Sequence, residues 1–546
     1  MREQDARRWF WHAAAGAFYL FTALVVSWHG ANLKHQLLGA GGDPFCYVWF
    51  FAWFPYALQH HLDPFYTHLV WQPVGLNLGW TTLMPTLALL AYPLTVTAGA
   101  VFTYNIMMLL APVCAALAAY ALCLYVCRSP KASLLGGWVF GFSSFANAHL
   151  NAQLNLEWIA LLPIIALLGL KRLHGEIGRL SFILALALAL AAQAGISLEF
   201  FATVILVSAF AWALAWLGMA QMRQRLGILA FDIMLAAPVT LLLLSPMLIA
   251  MFVKPHDMSL PKLWPEFFAS DPVNFFLPTS TTWLGGQLFR PVSKHFAGFL
   301  NEQASYLGLP LLFILWRYFR RSGRVFAVLF LALLVASCGP ELIFGSQETG
   351  IPLPWLLMTK LPLIGNALPS RLMVYAFLLA SVVMSVWLVQ TTTPWRWAAG
   401  VLVILFLWPV AKPVAAVPSQ AFFYPGEIEK IIGVDKRLLI LPFGINSPWM
   451  YWQMESGFAF SQAGGYLGFP PKRVQNNKLL MELFFGTVGP KTIPAIVAYC
   501  FATHVDAVVV GPGTDQALIS GMANLRWPAQ VVDGVTIYTV PKSAAP

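Results

Sequence analysis

Polar side chains that could take part in catalysis are confined to a few short stretches between long apolar runs. The first stretch, Gly41-Gly42-Asp43-Pro44, follows an apolar run and leads into the aromatic segment 45–53. Aspartate followed by proline is typical of a helix start, with Asp43 as the N-cap and Pro44 at the first helical position. An aspartate just after a membrane span is also a candidate general base. Both interpretations stay open.

Two further stretches carry isolated polar residues between apolar runs. Residues 149–158 alternate polar and apolar side chains and include His149, Asn151 and Glu157. Polar residues at membrane depth are costly and usually functional, so His149 and Glu157 could bind a metal or a sugar. The alternative is a solvated turn. Glu199 is a single acid between two long apolar runs, and we expect it to face a cavity rather than simply lie at the interface.

Basic and acidic residues recur in the segment 254–305 and beyond it. The segment contains Asp271, Arg290, Lys294 and Glu302, and Arg371 stands at the start of a later apolar run. Arginine and lysine next to lipid can hold a phosphate group. The alternative for each cation is a snorkelling or solvated side chain. These segments contain no P-loop, no dinucleotide fingerprint, and no HExxH or GxSxG motif.

The amino-acid composition indicates the class of structure that positions these polar residues. Hydrophobic residues make up 59% of the 546-residue chain and charged residues only 10%, against about 25% charged in a soluble domain. The mean hydropathy is +0.70. The net charge of +10 falls in short clusters between apolar runs, which is typical of positive-inside topology rather than of nucleic-acid binding. We therefore predict an α-helical polytopic protein of the lipid bilayer.

Placing the basic clusters in the cytoplasm gives about eleven spans. The N-terminus is then cytoplasmic and the C-terminus lies outside. If the apolar segment 82–98 crossed the membrane, every later basic cluster would lie on the outer side. We therefore expect this segment to be an interfacial or re-entrant helix. The absence of a eukaryotic targeting cue favours a bacterial inner membrane. The predicted spans are 12–28, 101–127, 132–148, 158–170, 180–196, 200–221, 227–250, 306–318, 325–338, 371–389 and 395–411.

The last part of the chain has a different character. From about Pro418 the residues are mixed in polarity. Segments 438–443 and 506–511 have the apolar composition of buried strands, with a helix over 492–503 before the second. Segment 531–540 is typical of a hairpin that turns at Asp533-Gly534. We therefore predict a transmembrane catalytic domain over 1–417 and a small extracytoplasmic α/β domain over 418–546.

Four groups of residues follow one another along roughly residues 1–411. They are Gly42-Asp43-Pro44 with Trp49 and Trp53; Phe142-Ser143-Ser144-Phe145 with His149 and Asn151; Asp271-Pro272 and 275–278 with Glu302 and Tyr306-Leu307-Gly308; and Pro362, Pro369 and Arg371. In their order and spacing they resemble the GT-C superfamily of polytopic membrane glycosyltransferases, in particular its uncharacterised bacterial members.

This resemblance implies hexosyl or pentosyl transfer, with inversion, from a polyprenyl-phosphate-linked sugar to a glycan, lipid or protein acceptor. It assigns the catalytic base to Asp43 and stabilisation of the leaving phosphate to Arg371, Arg290 and Lys294. The remaining expected substrate-binding residues are His149, Asn151, Glu157, Glu199, Asp271 and Glu302.

The resemblance also raises the question of a metal, because some relatives use a divalent ion such as Mg²⁺ or Mn²⁺ held by acids of the first two outer loops. Asp43, Glu157 and His149 would be its ligands here. The second loop lacks an Asp-x-Asp or Asp-x-Glu pair, which leaves metal dependence open.

Two other functions compete with glycosyl transfer. A transporter or flippase of lipid-linked glycans should have related halves and polar residues deep within its spans, and the sequence has neither. A polysaccharide polymerase or ligase could use the same donors and outer arginines, but it would not need a base in the first loop.

Overall fold

The computed structural model describes residues 2–255, 257, 265–361 and 364–542, with side chains from residue 9 onward. Pro362, one of the residues behind the resemblance, lies outside this part of the chain, as do residues 543–546 of the predicted C-terminal domain. The described chain is mostly helical and forms two compact units.

Each compact unit is assembled from segments that are distant in sequence. The first unit contains residues 1–31, 106–244 and 262–413, and the second contains residues 32–105, 245–261 and 414–546. The second unit therefore combines the predicted first outer loop with the C-terminal part of the chain. The division at residue 417 into a catalytic and an extracytoplasmic domain stays a prediction.

The first unit is built almost entirely of helices. A small antiparallel pair of strands, Glu341–Phe344 and Gln347–Pro352, interrupts them. Short 3-10 turns at Pro272–Phe275 and Pro369–Leu372 adjoin the candidate site. Its helices are Arg2–Ala23, Ala100–Cys127 (which begins in the second unit), Pro130–Gly141, Ser144–His149, Leu154–Glu157, Leu161–Leu173, Arg179–Ala194, Leu198–Gly218, Arg223–Leu243, Arg290–Ser293, Leu309–Phe319, Arg324–Ser337, Trp355–Met358, Met373–Val389 and Pro394–Leu407.

Within the described residues, six helical segments are long and apolar enough to cross a bilayer. Each of them overlaps a predicted span, so the chain is a multi-pass membrane protein. Four other predicted spans coincide with shorter apolar helices of 10–17 residues, and the count of about eleven stays a prediction. The six are Trp9–Trp28, Ala100–Cys127, Leu154–Leu173, Leu198–Gly218, Ala220–Leu243 and Pro369–Val389.

Large side chains fill the interior of the first unit. The Met373–Val389 helix is buried along most of its length, and it packs against the Pro130–Gly141 helix. Gly136 allows this packing, because a Cβ at this position would lie 2.1 Å from the Ser385 hydroxyl oxygen. The ring of Trp138 stacks on that of Trp408 with centroids 5.8 Å apart. Dense packing of this kind fixes the ends of the helices that carry the polar residues.

The second unit contains a five-stranded mixed sheet. Its order is Ala529–Val532, Val535–Thr539, Ala507–Val510, Arg437–Leu441 and Ser461–Gln462, and the last three strands are parallel to one another. The predicted strands near 438 and 507, the helix Thr492–Ala502 and the hairpin turning at Asp533-Gly534 are confirmed. The extracytoplasmic location of this part stays a prediction.

Residues 32–105 contribute helices and short strands to the second unit. The predicted helix after Gly42 runs over Asp43–Gln59, with Gly42 rather than Asp43 at the N-cap. The leftover apolar segment forms two short helices, Pro85–Leu90 and Tyr92–Ala98. The other helices are Ser245–Val253, Glu427–Ile432, Trp449–Glu455, Lys472–Gln475, Lys478–Phe484 and Gln516–Asn524; the other strands are Gln36–Leu38 with Val414–Ala416, and Tyr66–Thr67 with Leu76–Asn77.

The start of the Asp43–Gln59 helix lies directly against the C-terminal segment. A Cβ placed on Gly42 would lie 1.6 Å from the carbonyl oxygen of Ile445. The indole nitrogen of Trp49 donates to the Gln453 side-chain oxygen at 2.9 Å, and Gln453 in turn donates to the Leu69 carbonyl at 2.8 Å. These contacts explain why residues 32–105 and 414–542 form one unit.

We expect Gly42→Ala to destabilise the second unit, because backbone would have to move to admit the new methyl group. Overpacking of a filled site costs roughly 1–3 kcal/mol. Thermal unfolding of the purified protein should show a lower midpoint for this variant. Gly489→Ala is the matched control, since a Cβ at this exposed glycine meets nothing within 4 Å. Equal midpoints for the two variants would contradict the close approach at Gly42.

Candidate active site

Four of the predicted site residues lie together in the first unit, around Arg371. The Arg371 guanidinium donates Nη1 to Glu199 and Nη2 to Glu302, the latter at 2.5 Å, and its Nε lies 3.2 Å from both Glu302 oxygens. The His149 Nε2 atom lies 3.6 Å from Glu302 Oε2. We call these four residues, His149, Glu199, Glu302 and Arg371, the Arg371 cluster.

Each member of the Arg371 cluster is held at the end of a helix or in a turn. His149 is the last residue of the Ser144–His149 helix, and its Nδ1 contacts the Phe145 carbonyl at 2.9 Å. Glu199 lies in the first turn of the Leu198–Gly218 helix, which Ser197 caps. Arg371 belongs to the 3-10 turn before the Met373–Val389 helix. A charged side chain at a helix end or in a turn can be kept away from lipid, whereas the same side chain in the middle of a helix could be exposed to it.

The charges of the Arg371 cluster are largely removed from water. The Glu302 side chain is 3% exposed and that of Arg371 is 16% exposed. Burial alone would raise the pKa of Glu302, but the Arg371 guanidinium and His149 outweigh it and hold the pKa well below the usual carboxyl range. Glu302 is therefore an anion at neutral pH, and its stabilising contribution is lost only as the pH falls below the normal range of a glutamate.

Glu157 lies in a second buried polar group of the same unit. The side chain is fully buried, and neither carboxyl oxygen has a hydrogen-bond partner within the described residues. Lys412, also buried, donates its ammonium to the Asn147 carbonyl at 2.6 Å. Burial lowers the pKa of Lys412 to about 7, although the Glu157 carboxyl opposes the shift. Sequence reasoning missed Lys412, which follows an apolar helix and has no motif around it.

The remaining predicted residues of the first unit have separate positions. Asp271 caps the Pro272–Phe275 turn and also accepts backbone N–H groups of Gly345 and Ser346, at 3.2 and 2.8 Å, so its carboxylate fastens two loops together. The Asn151 amide donates to Asn301 at 2.9 Å. Arg290 and Lys294 are exposed, and in the described chain neither has a carboxylate within 4 Å.

Asp43 belongs to the second unit, where it is the first residue of its helix and is half-buried. The hydroxyl of Tyr466 donates to Asp43 Oδ1 at 2.6 Å. No sequence signal identifies this partner, because the two residues are 423 positions apart.

The residues considered as metal ligands are divided between the two compact units. Asp43 belongs to one unit, and His149 and Glu157 belong to the other. Over the described ranges, no three His, Cys, Asp or Glu side chains are grouped so as to hold a metal ion. His149 faces Glu302, and Glu157 lies near Lys412.

Comparison with solved structures identifies the fold. The chain is similar to the apo oligosaccharyltransferase of Archaeoglobus fulgidus, with a TM-score of 0.52 and 12% sequence identity over 92% of this chain and 69% of that one. It is also similar to a mutant of the mycobacterial arabinofuranosyltransferase AftD, with a TM-score of 0.54 and 12% identity over 99% of this chain and 42% of that one. By sequence, no protein-family model and no curated protein matches the chain.

The chain therefore shares the fold of an oligosaccharyltransferase and of an arabinofuranosyltransferase. At 12% identity the similarity shows the fold alone. The chain extends over less than half of the arabinofuranosyltransferase that it resembles.

We expect Arg371→Met to be strongly destabilising, because the Glu199 and Glu302 carboxyls would lose their hydrogen-bonded counter-ion. Breaking a buried ion pair from one side costs roughly 3–5 kcal/mol. The exposed Arg290 provides the matched control, and Arg290→Met should stay within about 0.5 kcal/mol of the parent. Thermal unfolding at neutral pH measures both. Similar midpoints for the two variants would mean that the Arg371 cluster does not hold the first unit together.

Proposed function

We propose that the protein is a membrane glycosyltransferase that moves a sugar from a polyprenyl-phosphate donor to an acceptor hydroxyl at the outer face of a bacterial inner membrane. The observation that carries this proposal is the fold, which the chain shares with two glycosyltransferases of different sugar chemistry. The first-loop acid Asp43, at the start of a helix and partly shielded from water, gives the fold a candidate base.

In the proposed reaction the Asp43 carboxylate accepts the proton of the acceptor hydroxyl. The acceptor oxygen then forms a bond to the anomeric carbon of the sugar. The bond between that carbon and the phosphate oxygen breaks on the opposite face, so the configuration inverts. The polyprenyl phosphate leaves with the bonding electron pair. General base catalysis of this kind contributes about 10²–10⁴-fold to a rate.

The leaving phosphate needs positive charge that is not already neutralised. Arg290 and Lys294 are exposed and close in sequence, so they are the stronger candidates in this proposal. Arg371 lies between two carboxylates, so its net attraction for an anion is small. The other predicted residues, His149, Asn151, Glu157, Glu199, Asp271 and Glu302, then shape the surroundings rather than bind phosphate.

Asp43→Asn should abolish sugar transfer while it leaves expression and membrane insertion intact, because the amide cannot accept the hydroxyl proton. Purified protein is supplied with a panel of radiolabelled polyprenyl-phosphate sugars and candidate acceptors, with and without Mg²⁺ or Mn²⁺. The parent should transfer label, and the variant should lose at least about 100-fold in rate.

Asp435→Asn is the matched control for this assay. Asp435 is exposed, lies in the same unit and has a φ of 55°, which asparagine tolerates well. The control should retain parental activity. Near-normal transfer by Asp43→Asn would remove this residue from the mechanism and favour a polymerase or ligase, whereas a parent that moves lipid-linked glycan without transferring sugar would favour a flippase.

The proposed mechanism also requires Asp43 to face the outer compartment. Reporters fused after Trp80 or after Pro546 should report the outer side, and a fusion after Arg321 should report the cytoplasm. Phosphatase and fluorescent-protein fusions distinguish the two compartments. A cytoplasmic signal at Trp80 would place the first loop on the wrong side of the membrane for this chemistry.

A further inference from the structure

The residue that holds Asp43 comes from the C-terminal part of the chain. Tyr466 follows the strand Ser461–Gln462, and its hydroxyl donates a short hydrogen bond to Asp43 Oδ1. Building on the function proposed above, we propose that Tyr466 is a positioning residue that fixes the orientation of the Asp43 carboxylate toward the acceptor hydroxyl. The C-terminal segment then forms part of the catalytic apparatus instead of only shielding it.

Backbone hydrogen bonds hold Tyr466 from both sides. The Gly464 carbonyl accepts the Trp71 N–H at 3.1 Å, and the Leu467 carbonyl accepts the Thr82 N–H at 3.2 Å. Both donors lie in the same first-loop segment that carries Asp43. A side chain whose neighbours are tied in this way loses little further freedom when it orients a partner.

Gly465 shows how closely this loop approaches the first-loop segment. Its φ is +147°, and a Cβ at this position would lie 2.1 Å from Val70 Cγ1. A larger residue would displace the backbone next to Tyr466. The sequence Gly464-Gly465-Tyr466 therefore suits a loop that must bring one phenol against a neighbouring segment.

Tyr466 stays a hydrogen-bond donor over the working pH range. Burial raises its pKa well above the ordinary tyrosine value, and the adjacent Asp43 carboxylate raises it further. A hydrogen bond to the charged form of a carboxyl favours that form. The phenol can therefore orient the Asp43 carboxylate throughout that range.

Cys46 and Tyr104 are also near enough to feel the Asp43 charge. Burial, with a smaller effect from Asp43, raises the pKa of the Cys46 thiol, which lies one turn along the same helix beside the Thr82 hydroxyl. Tyr104 donates its own hydroxyl to the Leu38 carbonyl at 2.9 Å. Removal of the Tyr466 hydroxyl should alter the titration of Asp43, because this hydroxyl donates directly to its carboxylate.

The test is the pH dependence of transfer by Tyr466→Phe, which removes one oxygen and keeps the ring. We expect kcat to fall about 10- to 100-fold, because a misplaced base loses rate steeply. The KM for the donor should stay unchanged. The acidic limb of the kcat/KM profile should move to higher pH by about one to two units.

Tyr451→Phe is the matched control. Tyr451 lies in the same unit, and its hydroxyl also donates to a carboxylate, that of Glu455, at 3.1 Å. This variant should keep the parental kcat and pH profile. If Tyr466→Phe behaves like Tyr451→Phe, the positioning role is wrong although glycosyl transfer stands. If the parent itself transfers no sugar from any donor, the proposed function fails, and the positioning role fails with it.

A second variant covers the case in which Tyr466→Phe does not fold. Replacing Tyr466 by 4-fluorophenylalanine fills the volume of the hydroxyl with an atom that cannot donate a hydrogen bond. We expect kcat to fall about 10- to 100-fold with an unchanged KM, since the bond to Asp43 is lost. A parental kcat in this variant would overturn the proposal.

Discussion

The cost of removing charge from water is the constraint on which the first unit depends. A charged side chain within a span must have a partner, because the hydrocarbon offers none. Arg371 is held between Glu199 and Glu302, and Asp232 is held between Arg172 and Arg179 at 2.7 and 2.8 Å. In both groups the partners come from different helices or loops, so each pairing also fixes how those elements pack.

The same constraint changes the role that Arg371 is expected to have. From sequence, a basic residue at the start of a span suggests a phosphate site. In the structure its guanidinium contacts two carboxylates, and Glu302 is an anion at neutral pH. The charge of Arg371 is therefore already paired, and a phosphate would have to compete with Glu302 for it. Arg371 is therefore better suited to holding the loop of Glu302 against the Leu198–Gly218 helix than to binding a leaving group.

The sequence predicts those features that depend on local composition. Six long apolar helices, the strands near 438 and 507 and the hairpin at Asp533-Gly534 follow from periodicity and turn chemistry over a few residues. The pairings in the candidate site do not, because they join distant positions. Nothing near Asp43 indicates Tyr466, and nothing near Glu157 indicates Lys412. The N-cap is Gly42 rather than Asp43, and the close approach of the Ile445 carbonyl leaves no room for a side chain at Gly42.

Contacts within the second unit show what the C-terminal segment contributes to the first-loop segment. It supplies Gln453 to Trp49 and Tyr466 to Asp43, while Ile445 packs at the helix start. These contacts fix the start of the helix and the orientation of the Asp43 carboxylate. If Asp43 is the base, as proposed, this matters for the rate, because a base that samples several orientations is a weak one.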